Sequence, residues 1–144
     1  MFEGLIEFIE QTVFTLVNQI GERESDAGNP GAGARQAAKV ITMLIQFAEK
    51  NPGMTRVMVG DALVFENDRL QQRMNQFFDK IESILKQSLR TAAQDGGSAM
   101  PTVDAQVRAS MLTAFVAGRL QRYARSGFKR LPSENLEATL ALML

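Results

Sequence analysis

The sequence contains no cysteine, no histidine and no tryptophan, and only one tyrosine and four prolines in 144 residues. Without cysteine there is no disulfide framework and no thiol chemistry. Without histidine the commonest general base and the commonest zinc ligand are both missing. No apolar run approaches the roughly 18 residues of a membrane span, and no basic stretch precedes the first apolar residues as in a signal peptide. A cytoplasmic protein of bacterial type is therefore expected. No glycine-rich phosphate motif occurs, since GAG at 31–33 falls in a stretch that reads as loop. Asp61, Glu66 and Asp68 imitate a metal site only loosely and match no known loop. No catalytic residue, metal or cofactor is expected, and the chain does not read as an enzyme.

Charge of either sign is also not in excess: sixteen basic residues balance sixteen acidic ones. A domain that grips the DNA backbone normally carries a basic surplus, so the balance argues against DNA binding by this chain. The distribution is uneven. Residues 1–34 hold six acids against Arg23 alone, and residues 105–131 hold six bases and no acid. The plain reading is solvated helix faces.

What is present is helical periodicity, with no sustained alternation of a strand. A first helix is predicted over residues 2–20, with Phe2, Leu5, Ile6, Ile9, Val13, Leu16, Val17 and Ile20 on one face and Gly21 as its end. A glycine-rich loop follows. A second helix over 34–50 carries Ala37, Val40, Ile41, Leu44, Phe47 and Ala48 inward. It breaks at Asn51 because Pro52 disfavours a helical residue before it, and Pro52 then suits the first turn of a short third helix. A fourth helix spans 66–90, with Leu70, Met74, Phe77, Ile81, Ile84, Leu85 and Leu89 as its core face. After a loop at 92–101, Thr102 is the expected N-cap of a fifth helix. Its apolar residues are Val103, Val107, Met111, Leu112, Phe115, Val116 and Leu120. Gly127 and Pro132 interrupt it, and Ser133 is the expected cap of a sixth. The prediction is one domain, an all-α bundle of six helices.

Three blocks, in order, carry a resemblance: LIEFIE at 5–10, EKNPGMTRVMVGDALVFENDRLQQRMNQFFDKIE at 49–82 and RYARSGFKRLP at 122–132. They resemble the regulatory domain of nucleoid occlusion factors within the TetR family of DNA-binding regulators. The resemblance implies a six-helix C-terminal regulatory domain that dimerises through its last two helices. Nothing like the family's helix-turn-helix precedes Phe2, so residues 1–144 are expected to be the regulatory and dimerisation half of a longer protein. DNA would be bound only through the missing N-terminal domain. Whether the chain is a trimmed piece, a proteolytic fragment or the product of a late start codon is left open. The resemblance further implies nucleoid association of the intact protein and binding of the C-terminal tail of the division protein FtsZ by the first two helices.

Four residues are candidates for that partner surface. Phe8 lies about 120° and Met43 about 110° from the apolar stripes of their helices, counting 100° per residue. Exposed phenylalanine and methionine beside Lys39 and Lys50 suit an acidic, apolar peptide; equally, both residues could complete a wide core. Lys50 and Asn51 join them on the resemblance, with Lys50 standing where arginine is usual and so lacking the planar fork. For the dimer, the small residues Ala105, Ala109, Ala114, Ala117 and Gly118 would admit a second helix closely or pack within the domain. Leu136, Leu140 and Met143 belong to a final helix that is apolar on more than one face. Arg119, Arg122, Arg125 and Lys129 align on one face, either as a soluble row or as a contact for an acidic partner or phosphates, with Tyr123 expected to stack against it. The alternative function is a small-molecule sensor of the same family, with Met58, Phe65, Phe77 and Phe115 lining an apolar pocket.

Overall fold

A computed structural model describes residues 2–23, 31–64 and 68–144. Six α-helices are formed among them: α1 (Phe2–Arg23), α2 (Ala32–Lys50), α3 (Pro52–Met58), α4 (Asp68–Asp95), α5 (Pro101–Arg125) and α6 (Leu136–Met143). A single 3-10 turn at Asp61–Leu63 follows α3. The described residues contain no strand. Glu66 and Phe65 lie outside the described residues, as does most of the glycine-rich loop.

The helix boundaries correct the sequence expectations in physically simple ways. α1 continues through Gly21 to Arg23, because one glycine costs a helix only about 1 kcal/mol. α4 runs on to Asp95 through Ala92 and Ala93, both good helix formers placed in the predicted loop. It stops where Gly97 takes a left-handed φ of 76° and Ser98 N donates to Ala93 O at 3.0 Å. Pro101, not Thr102, opens α5, in the first-turn position that suits a residue without an N–H. Ser133 does not cap α6: Asn135, with a left-handed φ of 54°, precedes the helix and its side chain makes no cap.

The longest helices, α4 and α5, form the most extensive pairing, and α2 packs across α4. The predicted stripes of α1, α2 and α4 supply the core, with Ile6, Ile9, Val13, Ile41, Leu44, Met74, Phe77, Ile81 and Leu85 all buried. Ile45, outside the predicted stripe, is also fully buried, since α2 is covered on more than one side. Phe14 joins the core edge, its ring 5.3 Å from that of Phe77. Glu10 and Arg73 tie α1 to α4 at 2.7 Å with both side chains about two-thirds covered, and Arg69 pairs with Glu3 nearer the solvent. Two acidic side chains of α1 are thus paired with arginines of α4.

α5 departs from its predicted orientation. Ala105, Ala109, Leu112, Val116 and Leu120 are buried, whereas Val103, Val107 and Met111, named with Leu112, Val116 and Leu120 among the apolar residues of the predicted helix, are 50%, 62% and 44% exposed. The small residues, not the large ones, face inward at this end of the helix.

The tightest approach is at Gly33. A Cβ there would sit 2.2 Å from Ser88 O and 3.0 Å from Ala92 N, both backbone atoms of α4. Gly33→Ala should therefore lower stability by about 1–3 kcal/mol, the usual cost of overpacking, despite alanine's better helix propensity. Gly4→Ala, with nothing within 4 Å of the added methyl, should be neutral or raise stability by up to about 1 kcal/mol. Denaturant midpoints of the two variants check both signs.

Candidate functional site

The site begins at the corner between α2 and α3. Pro52 forces the break, and three hydrogen bonds satisfy the carbonyls that α2 leaves open. Asn51 Nδ2 donates to Phe47 O at 2.8 Å, Asn51 N to Ala48 O at 3.2 Å, and the buried Thr55 hydroxyl to Ala48 O at 2.7 Å. Asn51, a predicted partner contact, is therefore also the side chain that closes α2. Lys50 beside it is exposed.

Phe8 is 48% exposed on α1, while its neighbour Ile9 is fully buried. Phe8 does not complete the core. Met43 does so in part, being half-buried against the main cluster. Phe8 on α1 and Lys50 on α2 are thus exposed, Met43 is half-buried and Asn51 is engaged in the corner's hydrogen bonding.

The predicted dimer set divides. Ala105, Ala109, Leu136 and Leu140 are buried within the chain. Ala114, Ala117 and Gly118 are exposed, and Met143 is half-buried. Val103, Val107, Met111, Ala114 and Gly118 fall on one stripe of α5 at four-, four-, three- and four-residue steps. Sequence reasoning missed the three large residues as surface because an apolar stripe carries no label for which side is inside. On α6 the buried leucines wall an apolar groove of about 580 Å³ against Ala38 and Thr42 of α2, and Leu142 on the opposite side is 90% exposed.

The pocket expected of a sensor is differently disposed. Met58 and Phe77 are packed into the core, and Phe115 is half-buried beneath the Arg119 guanidinium, 4.9 Å from its ring centre. No group of three or more acidic side chains is placed to hold a metal among the described residues, and no helix there is long and apolar enough to cross a membrane.

The expected stacking of Tyr123 on the arginine row is not formed. Its ring meets Phe128 edge-on at 5.2 Å, and its hydroxyl donates to Glu49 O at 2.8 Å. Arg56 lies over the other ring of that pair, 5.7 Å from the centre of Phe128.

A family model described as "Tetracyclin repressor-like, C-terminal domain", of the SlmA-like type, matches residues 35–144. The chain belongs to this family. It is 47% identical over 137 residues to the nucleoid occlusion factor SlmA of Photobacterium profundum, covering 95% of this chain and 66% of that protein. It is 44% identical to the SlmA of Aliivibrio fischeri and 43% identical to that of Vibrio cholerae, each over 143 residues, or 99% of this chain and 69% of the relative. The chain thus spans about two thirds of the length of these curated relatives. The all-α, six-helix architecture is that expected of the SlmA-like domain.

Tyr123 offers a direct probe of the corner, since it is the chain's one tyrosine. Burial pushes its phenol above the ordinary value of 10.0, and the Glu49 carboxylate acts in the same direction. The unfolded chain then releases this proton near pH 10, before the folded chain does. Stability from this group is complete below about pH 10 and falls as pH rises above it, until the folded phenol also ionises. Tyr123→Phe should cost about 1 kcal/mol at neutral pH for the lost hydrogen bond and remove that alkaline decline. Ultraviolet titration of the phenolate, with melts at several alkaline pH values, checks both effects.

Proposed function

We propose that this domain is the dimerisation and partner-binding half of a nucleoid occlusion factor, acting by recruitment and not by chemistry. In the intact protein a separate N-terminal domain would bind DNA and hold dimers on the nucleoid. Each regulatory domain would then engage the C-terminal tail of FtsZ and oppose assembly of the division ring there. Supporting this reading are the SlmA relatives, the resemblance of LIEFIE and the 49–82 run, and one structural observation that carries most weight. Phe8, a large apolar side chain in a matched block, is left half in water on α1 although the adjacent Ile9 is fully buried. An exposed aromatic beside a packed helix pair, with exposed Lys50 on the adjoining helix, fits an apolar tail with acidic residues.

The dimer surface in this reading is the outer stripe of α5 together with the exposed side of α6. Val103, Val107 and Met111 present apolar bulk, and Ala114, Ala117 and Gly118 allow a second helix to approach. Each large side chain, once covered, contributes on the order of 1.5–3 kcal/mol.

Two experiments test the proposal separately. In titrations with a labelled FtsZ C-terminal peptide, Phe8→Ala should weaken binding while costing well under the roughly 3–5 kcal/mol of a fully buried phenylalanine. Lys50→Glu should weaken it further, and added salt should reproduce part of that loss. Ile9→Ala should instead lower the melting temperature. Equal peptide affinity of wild type and Phe8→Ala would remove this surface. In sedimentation at micromolar concentration, wild type should be a dimer of the 15.9 kDa chain. Val107→Glu combined with Met111→Glu should give a folded monomer. A wild-type monomer, or an unaffected dimer in the variant, would exclude the α5 face.

A further inference from the structure

The basic cluster at the end of α5 has a shape that a solvated row of arginines would not need. Arg119 and Arg122 on α5, with Arg130, Pro132, Glu134 and Asn135 from the connection to α6, line a cavity of about 150 Å³. Arg125 and Lys129, aligned with the two α5 arginines in sequence, do not line it. Arg130 does, although it lies outside the predicted row.

The guanidiniums arrive by different routes. Arg119 is fixed: Nη1 donates to Pro132 O at 3.2 Å and to Glu134 O, and its guanidinium carbon lies over the Phe115 ring, 4.9 Å from the centre. Arg130 is presented by a turn in which Gly127 and Phe128 take left-handed φ values of 67° and 65°. The Ser126 hydroxyl oxygen accepts from Lys129 N at 3.2 Å and Arg130 N at 2.8 Å, holding that turn. A non-glycine residue in this conformation costs energy and persists only where its surroundings fix it. Arg122 makes no side-chain hydrogen bond or ion pair among the described residues. One carboxylate opposes the three cations: Glu134 is 3.9 Å from Arg130 Nε, and both side chains are more than half exposed. The wall keeps a net positive charge.

We propose that this cavity is a phosphate-binding site, taking inorganic phosphate or the phosphoryl group of a soluble phosphomonoester. Its volume suits one oxyanion and falls short of the roughly 300–1,000 Å³ of sites for drug-sized ligands. Its donors lie on two chain segments, which a tetrahedral ion with acceptor oxygens on every side can meet at once. A planar carboxylate presents two oxygens and would leave part of the wall unmatched. Arginine supplies charge-assisted and bidentate bonds to such oxygens. The positive end of α6, which begins at Leu136 just beyond the cavity, adds to the attraction.

The test is titration calorimetry with inorganic phosphate and with glycerol phosphate, at ionic strength matched with chloride. Wild type should bind both. Arg122→Ala and Arg130→Ala should each weaken binding at least tenfold, Arg122→Lys should restore part of it, and Arg108→Ala, elsewhere on α5, should leave it unchanged. Arg119 is not the probe, because its two carbonyl bonds make its loss structural. Circular dichroism melts of Arg122→Ala should match wild type. Equal phosphate affinity of wild type, Arg122→Ala and Arg130→Ala would overturn the site, as would no binding beyond the matched chloride control. Co-sedimentation with phosphatidylglycerol vesicles, with inorganic phosphate as competitor, separates lipid headgroups from the soluble ion. Vesicle binding that phosphate does not displace, with no calorimetric phosphate signal, would assign the cluster to a membrane surface and sink the proposal. Loss of the dimer in Arg122→Ala would likewise assign it to an interface.

Discussion

The close seating of α5 on α4 decides what the rest of the domain can present. Two long helices joined by the short link at 96–100 must face one another, and the N-terminal half of α5 meets α4 through Ala105 and Ala109. Small side chains at these two positions let the first turns of α5 seat on α4. Val103, Val107 and Met111 must then point the other way, into water. The outward apolar stripe is a consequence of inward smallness. The same logic holds where α2 crosses α4: Gly33 lets backbone touch backbone, and the position of α2 carries with it the Asn51 corner and Lys50.

This inversion marks the limit of what could be read from the sequence. The number of helices, their order and the core faces of α1, α2 and α4 were legible, because each has one dominant stripe of large apolar residues and a polar remainder. α5 has two apolar faces, one of alanines with Leu112, Val116 and Leu120 and one of valines and methionine. Periodicity alone ranks the larger residues as core, and only the partner helix shows that the smaller face is inside. Helix ends were less legible for a related reason. Gly21 and the alanines after Thr91 act weakly against helix propagation, while Gly97 and Asn135 end or begin helices through backbone geometry that their identity permits without requiring.

The candidate site was legible in the same uneven way. Phe8 could be placed off its stripe by angle, and it is exposed. Asn51 could be placed next to Pro52, but its side-chain bond to Phe47 O depends on the turn that Pro52 creates. Tyr123 was assigned to the arginine row because it shares a sequence neighbourhood with it. Its ring in fact points inward, where burial favours pairing the hydroxyl with a carbonyl and Glu49 O is in reach. Arg130 was missed from the row because its position depends on two left-handed residues in the connection, a feature with no periodic signature.

Glu49 then links these features. Its carbonyl accepts from Tyr123 at the end of α5, and its carboxylate accepts from Ser133 N in the connection to α6 at 3.3 Å. One residue of α2 thus ties the end of α5 and the connection to α6 to the helix end that carries Lys50 and Asn51. Loss of these bonds would loosen the connection and the corner together. Binding changes seen on mutating Glu49, Asn51 or Tyr123 would therefore mix support with contact, and their melts would move as well. Phe8, Lys50 and Arg122 are different in kind. Each is exposed, and none holds a neighbouring element in place, so a change in their binding reports on contact alone.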